Sequence, residues 1–426
     1  MSLHRPRLGL AALLSLSTLS LGACAVMEDS ANDDYAGAED DLGGDGYDSG
    51  YGDEGGAGTG AGDSGGGTSD GGGDTGGDTG DTGDTGGIEP GQLTAGEWRD
   101  LDNWEFWRNL GSQDSIWKEY FDNWGFDTSV RLPVLVFHEG EPAANIPVWA
   151  YDGGGTLRWE ARTDNEGRAE LWPGLFGEAV VGPVSITCPG GGVILDEFVD
   201  QGGDPLLLET NSVAPAAGLD LMFVIDTTGS MGDELNYLKA ELGDVIDRVD
   251  AEVAENLNMR LSVNFYRDHG DEYVVRSFPF TTSVPTALEQ LSVQSSDGGG
   301  DWEEAVEEAL ADAIFEHQWS PGARARLLFL VLDAPPHDNP ANRASLQQSI
   351  EEAAAMGIRV IPLAASGVDK NTEFLLRNLD IATGATYTFL TDHSGIGGPH
   401  LEPSIGDYDV ELLNDLLVRL IVESLD

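Results

Sequence analysis

The chain has 426 residues, with 76 Asp and Glu against 21 Lys and Arg, a formal charge of −55. An acidic excess of this size repels nucleic acid and anionic lipid headgroups, so neither is a ligand to look for, while divalent cations are concentrated near the surface. Composition shifts sharply along the chain, which points to several domains.

Residues 1–23 open with His4, Arg5 and Arg7, followed by an apolar stretch over 8–21 that is too short and too rich in Ser to span a bilayer. The stretch ends Leu21-Gly22-Ala23-Cys24, which resembles the lipobox of bacterial lipoprotein signal peptides. The resemblance implies removal of residues 1–23 and acylation of Cys24; the other reading is an ordinary secretory signal followed by a free cysteine. Ala25 stands where Asp would argue for inner-membrane retention, so the expected location is the outer membrane, at its periplasmic face or the cell surface. Several acyl chains on one residue anchor stably, where a single chain does not.

Residues 24–92 read as a disordered acidic tether. No Lys, Arg or His occurs between Arg7 and Arg99, and Gly, Asp, Ser and Thr dominate, with a repeat from Gly77 to Thr85. Such a segment buries too little apolar surface to offset its ordering entropy, and its like charges keep it extended. A calcium-binding reading of the Asp-x-Gly repeat lacks the large apolar residue that stacked-strand repeats carry.

Residues 93–128 hold five of the ten tryptophans. Leu101, Trp104 and Trp107 share helical spacing, as do Ile116, Tyr120 and Trp124, so the pattern predicts two short helices divided at Gly111. The rings serve either as a glycan platform or as packing against the next domain. Residues 129–212 read as a small all-β sandwich, with strands at Val134-Leu135-Val136-Phe137, Pro147-Val148-Trp149-Ala150-Tyr151 and Leu157-Arg158-Trp159-Glu160-Ala161 between Gly, Pro and Asp clusters. The run from Thr163 to Trp172 resembles the T-D-x-x-G-x-A-x-L pattern of transthyretin-like and carboxypeptidase-regulatory-like sandwiches, although Ile146-Pro147 replaces the usual Gly-x-Pro. Cys188 has no intramolecular partner once Cys24 is lipidated. A Pro- and Ala-containing linker over 204–218 marks the sandwich as a separable unit.

Residues 218–426 alternate strands and helices, a doubly wound α/β pattern. The apolar run 219–225 is followed by Asp226-Thr227-Thr228-Gly229-Ser230, then by Leu235, Leu238, Leu242, Val245, Ile246 and Val249 at helical spacing. A loop between a parallel strand's carboxyl end and a helix is where open α/β sheets place ligands. Its carboxylate and hydroxyls are hard donors, suited to Mg²⁺, Mn²⁺ or Ca²⁺. The loop resembles the D-x-[ST]-x-S motif of von Willebrand factor A (vWA) domains. There, a metal-ion-dependent adhesion site draws ligands from two further loops, which here begin at Gly298-Gly299-Gly300-Asp301 and Asp333-Ala334-Pro335-Pro336-His337. The resemblance implies a Rossmann-like fold and a metal site of Asp226, Thr228, Ser230, Asp301 and Asp333.

The expected function is therefore that of a cell-envelope lipoprotein whose vWA domain binds a protein partner through a divalent metal, the partner supplying an acidic side chain. The alternatives are a metal-dependent hydrolase or a purely structural envelope protein. His269, His337 and His393 are the histidines available for catalysis. No HExxH, nucleophile elbow or second ligand cluster accompanies them in the sequence, so no catalytic residue and no enzymatic activity are expected.

Overall fold

The eight residues Leu219–Asp226 are all buried, because this strand lies at the centre of an open sheet. It pairs in parallel with Met259–Tyr266 on one side and Ala325–Leu332 on the other. The parallel ladder continues through Ile358–Ala364 to Tyr387–Leu390. Successive strand side chains face opposite ways. Leu219, Leu221, Phe223 and Ile225 therefore join one core with helices Leu235–Val253 and Leu413–Glu423. Met222 and Val224 join the other core, with helices Pro340–Met356 and Lys370–Thr383. Burial on both faces explains why these strands read as continuous apolar runs. Val275–Arg276 closes one edge antiparallel to Met259–Tyr266.

This computed structural model describes residues 88–425, except 114, 198–199, 201, 203, 214–217 and 254–257. The leader, Cys24 and the tether up to residue 87 lie outside the described residues, and the linker over 204–218 is described in part.

Two strands of the sheet fall outside the sequence pattern. Thr94–Trp98 pairs antiparallel with Tyr387–Leu390, and Glu411–Leu412 pairs with Thr94 and Ala95, so the sheet has eight strands. The segment Thr-Ala-Gly-Glu-Trp has no apolar alternation and is held by tertiary contacts. The buried Glu241 carboxylate accepts the backbone N–H groups of Gly91, Gln92 and Leu93 at 2.7, 2.7 and 3.0 Å. Gly96 lies against the Phe389 ring, where a Cβ would come within 2.6 Å.

Beyond that strand, helices Trp104–Gln113 and Ser115–Trp124 dock on Lys370–Thr383. Trp107, Trp117, Tyr120 and Phe121 surround the Phe374 ring at centroid distances of 4.7–6.1 Å. Trp104, Trp107, Trp117 and Trp124 are buried, so these rings are packing and not an exposed platform. Beneath them Arg377, fully buried, pairs with Asp100 at 2.6 Å and Glu373 at 3.1 Å, and its guanidinium lies over the Trp107 and Trp117 rings.

Between Leu132 and Glu209 the secondary structure of the described residues is strand only, arranged in two four-stranded sheets. Leu132–His138 pairs with Glu141–Pro142, Arg168–Leu171 and Leu206–Glu209. The second sheet is ordered Leu157–Arg162, Pro147–Tyr151, Val184–Cys188, Gly191–Leu195. The separability expected of this region does not follow from its packing. Its core residues Val134, Val148, Trp159 and Trp172 belong to the same hydrophobic cluster as Met222, Val224, Leu346 and Phe374. Polar contacts also cross over, including Asn145 Nδ2 to the Pro321 carbonyl at 3.0 Å and Arg162 Nε to the Ala355 carbonyl at 3.2 Å. The small sheets are thus inserted, in chain order, between strand Thr94–Trp98 and the central strand of one unit.

Candidate metal centre

Three loops meet at the carboxyl end of the parallel strands and are stitched to one another by backbone hydrogen bonds. Gly229 N donates to Gly298 O and Asp297 N to Thr227 O, which joins the first loop to the second. Glu304 N donates to Pro335 O at 2.9 Å, which joins the second to the third. In the first loop, Thr228 donates both its N–H (2.8 Å) and its hydroxyl (2.7 Å) to Asp226 Oδ1, and its Oγ1 lies 3.2 Å from Ser230 Oγ. Thr227 turns away and donates to the Tyr266 carbonyl at 2.8 Å. In the second loop, Gly298 has φ +80° and a Cβ there would collide with the Asp271 carboxylate, so this turn requires glycine.

The electrostatics are those of crowded, buried acids. Asp226 is pushed up to about 7, first by burial and then by the nearby Asp333. Glu304 is pushed up to about 9 by burial, then by Asp226, Asp268, Asp333 and Asp271. Burial and the same carboxylates drive the Tyr266 phenol well above its ordinary range. Like charges this close cannot all ionise without a cation or a proton between them. Asp226 Oδ2 accepts no well-formed hydrogen bond, and Glu304 Oε2 is buried with no donor. This set of carboxylate and hydroxyl oxygens suits a hard divalent cation, and the residues present fit one.

Of the five expected ligands, the structure brings Asp226, Thr228 and Ser230 into one hydrogen-bonded group, with Asp333 close enough to perturb Asp226. Asp301 is exposed, and its ligand atoms group with those of Asp268 and His337, all within 4.8 Å of one another. The second-loop acid that faces Asp226 and Asp333 is Glu304, which the sequence reading missed. Asp301, Glu303 and Glu304 are near-equivalent as letters; only the pairing of Glu304 with Pro336 turns that one inward.

The histidines separate by environment. His337 Nε2 meets Asp268 Oδ1 at 2.9 Å; burial alone would lower its pKa, but this pair raises it. His269 meets Glu308 at 2.8 Å, in a group with Glu307. His393 is exposed in a single turn after Tyr387–Leu390. His400, unremarked in the sequence, is held between Glu234 at 2.9 Å and Asp392 at 2.8 Å, and His317, a buried residue, meets Asp312 at 3.2 Å.

Comparison with known proteins accords with this geometry. The family model for the von Willebrand factor type A domain matches residues 220–395, so a vWA domain occupies this part of the chain. A curated relative, a putative ariadne-like RING finger protein of Acanthamoeba polyphaga mimivirus, is 28% identical over 138 residues. That match covers 32% of this chain and 13% of the relative. A vWA domain supports a protein-interaction or adhesion-type role in general, and such domains commonly bind a divalent metal.

Proposed function

We propose that this protein is a cell-envelope lipoprotein, anchored through Cys24 to the outer membrane, whose vWA domain captures a protein partner through a divalent cation. Asp226, Thr228, Ser230, Asp301 and Asp333 would hold the cation, some through water, with Glu304 as an additional carboxylate beside Asp226 and Asp333. A bound cation supplies positive charge that attracts a carboxylate from the partner. The observation that carries the reading is the buried acidic centre itself. Asp226 and Glu304 are pushed up to about 7 and about 9, Glu304 Oε2 is buried with no donor, and Mg²⁺, Mn²⁺ or Ca²⁺ removes that cost.

Titration calorimetry with each of these three metals, on wild type and Asp226→Ala, tests the site, and equal binding by both proteins refutes it. Capture from envelope extract with and without chelator tests the partner, which is expected only with metal present. Membrane fractionation of Cys24→Ala tests the anchor, and retention of that variant on membranes refutes it.

A further inference from the structure

We infer that a cavity at the amino end of the parallel strands binds a small organic carboxylate with an apolar body, seated on Arg326 and Arg359. The cavity measures about 320 Å³, the size of a small-molecule site. Its walls include the starts of Ala325–Leu332 and Ile358–Ala364, the turn over 163–168 in the small sheets, and the end of helix Leu413–Glu423. The metal centre lies at the other end of the same strands. Along Ala325–Leu332, at about 3.3 Å per residue, the two are roughly 20–25 Å apart. Five of the chain's 21 Lys and Arg line this one cavity, in a chain of formal charge −55.

The acids of the lining already have partners. Asp102 pairs with Arg99 at 2.9 Å and Glu166 with Arg168 at 2.8 Å. Glu97 and Glu423 pair with Arg419, outside the lining, at 2.8 and 3.4 Å. Asp164 accepts the backbone N–H groups of Glu166 and Arg168, at 3.0 and 2.8 Å from Asp164 Oδ1 to the second of these and 3.0 Å to the first. Among the described residues no carboxylate pairs with Arg326 or Arg359, whose donors go to neutral oxygens. Arg326, 3% exposed, donates to the Ser320 and Pro321 carbonyls and to Asn145 Oδ1. Arg359, half-buried, donates to the Thr383 and Arg162 carbonyls, which leaves part of its donor fork unused. Carbonyl dipoles alone do not offset the burial of a full charge. Burial, then the like charges of Arg162 and Arg359, outweigh Asp220 and pull Arg326 down to about 10. A carboxylate supplies the missing counter-charge and matches the planar guanidinium. Ala325, Leu327, Ile361 and Leu420 give the ligand's body an apolar wall. The lining balances five arginines against five acids, which favours a single negative charge over a phosphate dianion.

The test uses the full chain in chelator, so that no metal holds the probe, and reads benzoate affinity by saturation-transfer NMR titration. Wild type is expected to bind benzoate. Neither benzamide, which keeps the ring without the charge, nor inorganic phosphate should displace it at equal concentration. Arg359→Gln is expected to weaken benzoate by about tenfold or more, as loss of a charge-assisted contact does. Ser424→Trp, which sets a ring in the cavity wall and spares both arginines, should weaken it as much. Arg248→Gln removes a cation outside the cavity, one paired with Asp415 at 2.8 Å, and should leave affinity unchanged. The inference is overturned if benzoate fails to bind wild type, or if benzamide or phosphate displaces it. It is equally overturned if a folded Arg359→Gln or Ser424→Trp binds as wild type does, or if Arg248→Gln loses as much as Arg359→Gln. Melting curves identify a variant that fails to fold, and the other then decides. Because metal is absent throughout, failure here leaves the metal-dependent capture untouched, and the reverse holds.

Discussion

Glu304→Gln isolates the electrostatic cost of the acidic centre. The wild-type carboxyl stands at about 9 in the folded protein, against 4.5 in its ordinary state. Its folded value is raised, so the folded state holds the proton more tightly than the unfolded chain does. The stability contributed by the neutral carboxyl is complete below 4.5 and is lost as pH rises through about 9. Each pH unit inside that window removes up to about 1.4 kcal/mol. Between pH 5 and pH 8 the metal-free protein should lose roughly 2–4 kcal/mol from this group, the upper figure assuming no relaxation of the site. Glutamine keeps the shape and cannot ionise, so Glu304→Gln should lack this component and exceed wild type by about that amount at pH 8. The assay is the urea midpoint of both proteins in chelator at half-unit pH steps, repeated in saturating Mg²⁺. Magnesium should narrow the gap from the wild-type side. Parallel pH profiles for the two proteins in chelator refute the argument, because Glu304 would then ionise at its ordinary pH.

Further outcomes follow from the same contacts. Asp301→Thr should weaken Mg²⁺ affinity, since a carboxylate beside the cation is replaced by a neutral hydroxyl; unchanged affinity by calorimetry would remove Asp301 from the site. Arg377→Ala should destabilise by about 3–5 kcal/mol in chemical denaturation, because Asp100 and Glu373 are left buried without their cation. Gly96→Ala should cost about 1–3 kcal/mol, as the added methyl meets the Phe389 ring and forces strand Thr94–Trp98 away from it. The excised fragment 129–212 should give weak near-ultraviolet dichroism, because the face it packs against helix Pro340–Met356 is then exposed to water.

Local physics made the α/β half legible. Strands buried on both faces must be continuous apolar runs, and helices covering them must repeat at 3.6, so 219–225, 327–332 and the helix through Leu235 to Val249 declare themselves without any partner in view. The first loop is equally plain, because Asp226, Thr228 and Ser230 are neighbours in sequence and a buried strand end leaves them few directions to face. Contacts between distant segments carry no such local signature. Thr94–Trp98 becomes a strand because Tyr387–Leu390 offers a free edge and Glu241 holds the chain leading into it, and nothing periodic within its five residues says so. The same holds for the two acids of the second loop. Asp301 and Glu304 are three residues apart and chemically alike, and which of them is buried is decided by where the loop crosses Pro335 and Pro336. Charge itself follows this division. The sequence determines how many carboxylates the chain carries, but which of them must share a proton or a cation depends on burial and distance, and those exist only once the loops have met.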